Sequence, residues 1–128
     1  MDRELVYVVH SDAETAGKVC NALLAFDYKV VKMTSETEAE AVLSSHQFVL
    51  PDAILTPLGD LESGDSILIR LFTSNPLMEQ IPLVVLAGEE EDERRRALRM
   101  GLLSVIFPPY DEEEVNLTTK LAIEKHRS

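Results

Sequence analysis

The sequence predicts an α/β domain in which a parallel β-sheet carries helices on both faces. Apolar, β-branched runs such as Leu5–Val9 and Ile81–Ala87 are continuous, not alternating, as in strands buried on both sides. Helix-start signals or helical periodicity follow each run after a short connection. Strand and helix patterns alternate from end to end, giving five βα units, and right-handed crossovers then require a parallel sheet.

The first strand is Leu5–Val9, and Ser11 with Glu14 has the spacing of a capping box opening a helix to about Phe26. Ala16, Val19, Cys20, Leu23 and Leu24 fall on one face of that helix. Asp27 and Tyr28 turn the chain into a second strand, Lys29–Met33, whose lysines mark it as an edge. Ser35 and Glu38 repeat the capping-box spacing before a second helix with Ala39, Val42 and Leu43 inward. Pro51-Asp52 introduces the third strand, Ala53–Thr56, followed by a Gly-containing acidic loop from Pro57 to Gly64. Asp65 or Ser66 caps a third helix carrying Ile67, Leu68, Leu71 and Phe72, which Asn75-Pro76 stops. The fourth strand is Ile81–Ala87. The helix from Glu89 to Arg99 has acids first and arginines last, which suits its dipole, and pairs Glu90 with Arg94 and Glu91 with Arg95. The fifth strand, Leu103–Phe107, ends at Pro108-Pro109, and a last helix begins near Asp111 with Val115, Ala122 and Ile123 inward.

The 128 residues suit one domain, 1–128, with no linker inside it. A net charge of −11 repels phosphate backbones and anionic lipid, which argues against nucleic-acid or membrane binding by this domain. Cys20 is the single cysteine and lies among apolar neighbours, so the expected state is a buried, inert thiol and the expected compartment a reducing cytoplasm. No apolar stretch is long enough to span a membrane, and no signal peptide is visible at the N-terminus.

Ligands of open parallel sheets bind beyond the carboxyl ends of the strands. Here those ends read His10-Ser11-Asp12, Thr56-Pro57-Leu58, Ala87-Gly88-Glu89 and Phe107-Pro108-Pro109. Together with Pro51-Asp52, Gly64, Ile81-Pro82, Ala97-Leu98-Arg99-Met100-Gly101 and Pro109-Tyr110, these segments give the whole chain a resemblance to the receiver domains of two-component response regulators. The resemblance implies a flavodoxin-like (βα)5 sandwich of three layers with strand order 2-1-3-4-5.

It also implies where chemistry would sit. Receivers hold Mg²⁺ with an acidic pair after the first strand; His10 and Ser11 stand there, leaving Asp12 as the one candidate metal ligand. The phosphoacceptor position at the end of the third strand is Pro57 when counted forward from Pro51-Asp52, and Thr56 when counted back from Gly64. Ala87 replaces the hydroxyl residue of the fourth strand, Pro108 the lysine after the fifth, and Val105 the switch aromatic. An acyl phosphate needs a carboxylate nucleophile, and phosphoryl transfer needs a metal and cations around the spreading charge. A hard Mg²⁺ ion is poorly served by one acid and an imidazole. The implied protein is therefore a degenerate pseudo-receiver, not an enzyme, that binds no cofactor and acts independently of phosphorylation through a protein partner or as a homodimer. Receivers usually belong to longer proteins, so an N-terminal fragment with its output domain elsewhere is compatible with the chain.

Alternatives attach to particular residues. His10 with Asp12 could form a metal or acid–base site, although a lone loop histidine is ordinarily structural. His46 near a helix C-terminus has a dipole role as sufficient explanation, and His126 lies in the tail. Asp60 or Asp65 could serve as a displaced acceptor in a phosphorelay; solvating the loop and capping a helix are their ordinary roles. Thr56 as a kinase target requires an accessible hydroxyl at a strand end. A small flavodoxin-like enzyme or cofactor carrier would need a phosphate cradle, for which the acidic, glycine-free Ser11–Glu14 segment is unsuited. Arg94, Arg95, Arg96 and Arg99 either form a solvated face or, with Val105 and Tyr110, an interaction face of the kind receivers use.

Overall fold

The structure is a computed structural model, and it describes residues 4–10, 12–43, 50–57, 81–88 and 104–127 together with positions 92, 95, 96 and 99. Ser11, His46, Asp60, Gly64, Asp65, the third predicted helix, Arg94, Gly101 and Leu103 lie outside the described residues. Five strands are present: β1 (Leu5–Val9), β2 (Lys29–Met33), β3 (Ala53–Pro57), β4 (Leu83–Leu86) and β5 (Val105–Ile106). They pair in parallel in the order β2-β1-β3-β4-β5, the flavodoxin-like arrangement. The helices with described bounds are α1 (Ala13–Ala25), α2 (Glu36–Leu43) and α3 (Glu112–Arg127).

Strand alternation divides the core in two. On one side Val6, Val8, Ala53, Leu55, Val84, Leu86 and Ile106 lie under Ala16, Val19 and Leu23 of α1 and Val115, Ala122 and Ile123 of α3. On the other, Tyr7, Val9, Ile54, Met33 and Ile81 pack with Val42 of α2. β2 is the edge that its lysines predict, with Lys29 and Lys32 exposed. At the amino edge of the sheet Asp52 fixes the β1–β3 register twice: its carboxylate accepts from the Leu5 N–H at 2.7 Å, and its own N–H donates to the Leu5 carbonyl at 2.6 Å.

Six local expectations are corrected. Leu24, expected on the inward face of α1, is 54% exposed near the helix end, and β4 spans Leu83–Leu86, not Ile81–Ala87. The N-cap of α1 is Asp12, not Ser11: its carboxylate accepts from the Glu14 N–H and its carbonyl from the Ala16 N–H. An aspartate that reaches two groups of the first turn caps as well as a serine and sits one residue nearer the helix. In α2 the Ser35 hydroxyl does accept from the Glu38 N–H, but Glu38 reaches back past Ser35 to the N–H and hydroxyl of Thr34. β3 runs one residue further than predicted, because Pro57 pairs with Leu86 at a position where its missing N–H is tolerated. β5 shrinks to Val105–Ile106, although the Ser104 carbonyl and Ile106 carbonyl still accept from Val85 and Ala87. Pro108 and Pro109 bring no N–H with which to prolong it.

Phe26 caps the end of α1, and Asp27 follows with φ of 70°, a left-handed position that a short polar side chain tolerates. Inside α1, Gly17 carries an entropic cost with no packing reason, since a Cβ there meets nothing within 4 Å. Gly17→Ala is expected to raise unfolding stability by about 0.5–1 kcal/mol. Urea denaturation checks this; unchanged or lowered stability would contradict the open space.

Candidate functional site

The carboxyl edge of the sheet is built from residues already committed to local structure. His10 continues the β1–β2 ladder through its N–H to the Met33 carbonyl at 2.9 Å. Its Nδ1 accepts from the Asp12 N–H at 2.9 Å, which assigns the proton of the neutral ring to Nε2. The Asp12 carboxylate is held by the Thr15 hydroxyl at 2.8 Å and the Glu14 N–H at 3.2 Å. Those bonds, the Thr15 hydroxyl first, hold its pKa below the usual 3.8. The pair that sequence offered as a metal or acid–base site is thus brought together, as a helix cap with its upstream brace.

At the end of β3, Thr56 is 0% exposed and its hydroxyl has no hydrogen-bond partner among the described residues. It shares the sheet face of Ile54, while Pro57 shares that of Leu55 and is half-buried. Ala87, buried beyond the end of β4, contributes no side-chain polar group. Its carbonyl accepts a short hydrogen bond from the Tyr110 hydroxyl. Tyr110 reaches it from the turn after β5, where the Pro108–Pro109 peptide is cis and Tyr110 itself has φ of 58°. The turn is closed by the Tyr110 N–H to the Phe107 carbonyl at 3.1 Å, and the Phe107 N–H donates to Glu114 of α3 at 3.4 Å.

Among the described residues no three His, Cys, Asp or Glu side chains lie close enough to hold a metal ion. None of Thr56, Pro57, Ala87 and Pro108 supplies a carboxylate or a cation. Arg95 and Arg99 are exposed helical positions, Val105 and Tyr110 are half-buried, and Arg96 pairs with Asp92 at 2.9 Å. Sequence reasoning missed two features. One is the Tyr110–Ala87 bond; the other is a groove of about 430 Å³ lined by Lys18, Asn21, Pro109, Tyr110, Asp111 and Glu112. Both depend on a turn joining segments far apart in the chain, and the only signal was the proline–aromatic step after the fifth strand.

No protein-family profile matches the sequence, and no curated protein does. Solved structures match at low identity over nearly the whole chain. A sensor protein from Polaromonas sp. JS666 aligns with TM-score 0.77 and 17% identity, covering 98% of this chain and 99% of that one. A response regulator receiver domain protein from Clostridium thermocellum gives 0.73 and 16%, covering 97% of each chain. NtrX from Brucella abortus gives 0.77 and 16% over 98% of this chain, which spans only 27% of that protein. At these identities the likeness establishes the fold: this is the architecture of response regulator receiver domains. No described helix is long and apolar enough to cross a membrane.

Two outcomes test the edge. Asp12→Ala is expected to lower stability at neutral pH. Because folding depresses the Asp12 pKa, its carboxylate stabilises the fold above about pH 4 and ceases to as pH falls through the folded value. The deficit of the variant should therefore narrow in unfolding titrations below pH 4, and a deficit that stays constant would refute the charge-assisted cap. Tyr110→Phe should cost about 1 kcal/mol by leaving the Ala87 carbonyl unpaired; chemical denaturation with no change would show that water replaces the phenol.

Proposed function

We propose that the domain is a degenerate receiver, a signalling-type module that works without phosphorylation and through protein contacts. The observation that carries this reading is the side-chain set at three strand ends, Pro57, Ala87 and Pro108, none of which can form an acyl phosphate or stabilise one. Pro57 is the terminal residue of β3, which favours it over Thr56 for the acceptor position. Either assignment leaves the site without a nucleophilic carboxylate, and full burial keeps the Thr56 hydroxyl from a kinase. Asp12 and His10 are drawn into the α1 cap, so Mg²⁺ binding is weak or absent and no cofactor is used. The domain is accordingly no enzyme.

The partner is a protein, engaged through a face that includes Arg95, Arg99, Val105 and Tyr110; the exposed arginines give it cationic character on an otherwise acidic chain. Nucleic acid and membranes are disfavoured by the charge of −11. A cytoplasmic location suits Cys20, whose thiol burial pushes up and keeps unreactive.

Incubation with acetyl phosphate and Mg²⁺, and separately with beryllofluoride and Mg²⁺, provides the test. Intact mass should show no phosphoryl adduct, and amide resonances at positions 10, 12, 56 and 87 should not move. A stoichiometric adduct, or saturable shifts at those positions, would sink the proposal.

A further inference from the structure

β2 closes one side of the sheet, and among the described residues only its edge toward β1 is paired. The Lys29 N–H donates to the Glu4 carbonyl and the Met33 carbonyl accepts from the His10 N–H, both at 2.9 Å. Alternation then turns the backbone of Lys29, Val31 and Met33 toward β1 and that of Val30 and Lys32 away from it. Val30 and Lys32 each leave an N–H and a carbonyl for a further strand. Side chains alternate as well. Met33 joins the core on the α2 side and Val30 packs against the core under α1, so Lys29 and Val31 stand on one face and Lys32 on the other. Val31 is 38% exposed. Both lysines are exposed, and neither has an ion-pair partner. Lys32 lies near Cys20, whose thiol burial keeps protonated and uncharged.

From this arrangement we infer that the outer edge of β2 is a strand-addition site for an extended acidic segment of a partner protein. Main-chain bonds to Val30 and Lys32 give the affinity, and side chains on alternate faces give the specificity. Residues directly opposite across a strand pair share a face, so carboxylates facing Lys29 and Lys32 fall three residues apart, one on each face. Two apolar, β-branched residues between them meet Val30 and Val31. Lysine on an edge strand ordinarily blunts pairing. That protection acts against neutral and basic strands, and against a second copy of β2, which brings two lysines and no acid. An acidic strand converts it into attraction. The overall charge of −11 opposes approach at long range; salt screens that repulsion beyond about 8 Å and leaves the two local lysines to decide. β2 lies across the sheet from β5, so this contact goes beyond the face that includes Val105 and is independent of phosphoryl chemistry at the carboxyl edge. Two exposed ion pairs and a short ladder make a weak complex, in the range of about 50–1000 μM.

The probe is the acetylated, amidated hexapeptide Thr-Glu-Val-Val-Glu-Thr, whose symmetric pattern fits either strand direction. Titrated into the full chain, it should give saturable amide shifts centred on positions 30 and 32 and slow the solvent exchange of those two amides. The same peptide N-methylated at both valines keeps its charges and should not bind, because one donor facing β2 is lost in either direction. The peptide Thr-Lys-Val-Val-Lys-Thr should not bind the wild type. Lys29→Glu/Lys32→Glu should weaken the acidic peptide at least about tenfold and take up the lysine peptide instead, since the charges are exchanged across the pair. Circular dichroism verifies that the variant is folded. Lys29→Gln/Lys32→Gln, expected to weaken the acidic peptide at least about fivefold, replaces it otherwise. No binding by the wild type overturns the inference, as does undiminished binding of the N-methylated peptide or of the acidic peptide to either variant. An edge that binds nothing on a chain that takes no phosphoryl group overturns this site and leaves the proposed function standing. A phosphoryl adduct would remove that function without touching the peptide titration.

Discussion

The amides of β1 can be satisfied only by strands on either side, because both faces of the strand are covered by apolar side chains. Val6, Val8, Tyr7 and Val9 are all essentially without solvent contact, so neither edge can turn to water. β2 and β3 must therefore dock in register, and the helices between them must cross over the faces that the side chains demand. The rest of the architecture follows from that central strand. It sets which residues of β3 and β4 point to α1 and α3, and it brings the ends of four strands to one edge.

At that edge the polar groups are consumed by the fold itself. His10 and Asp12 complete the first turn of α1, and the Tyr110 phenol completes the Ala87 carbonyl. A site that transfers phosphoryl groups keeps carboxylates and cations under-satisfied until substrate and metal arrive. Here the hydrogen bonds of His10, Asp12 and Tyr110 are closed inside the chain. Thr56 is the exception, a fully buried hydroxyl with no partner among the described residues.

What the sequence made legible was whatever depends on periodicity. β1, β2 and α1 apart from the exposed Leu24, the core stripe of α3 and the edge position of β2 are all written as residue spacing, and the structure follows them. Features that depend on competition between neighbouring groups were harder to read. Ser11 and Asp12 both can cap, and spacing alone chose the serine while the structure uses the aspartate. The fifth strand looked like five residues because Leu103–Phe107 is apolar apart from Ser104; its pairing covers Val105–Ile106 and stops short of the prolines. The Tyr110–Ala87 bond needed a left-handed tyrosine after a proline pair, a backbone state that no periodicity encodes. Counting left both Thr56 and Pro57 as candidates for the end of the strand; pairing carries β3 through Pro57.

The reciprocal bonds between Asp52 and Leu5 lie at the edge of the sheet opposite the one where ligands would bind. Register is thus anchored at one end of the strands and chemistry would be hosted at the other. Such a division makes the carboxyl edge a permissive region: carboxylates, lysine or hydroxyl can be exchanged there without unpicking the strand alignment. A scaffold of this kind can shed a reaction and keep its shape, leaving its outer surfaces open to a different use.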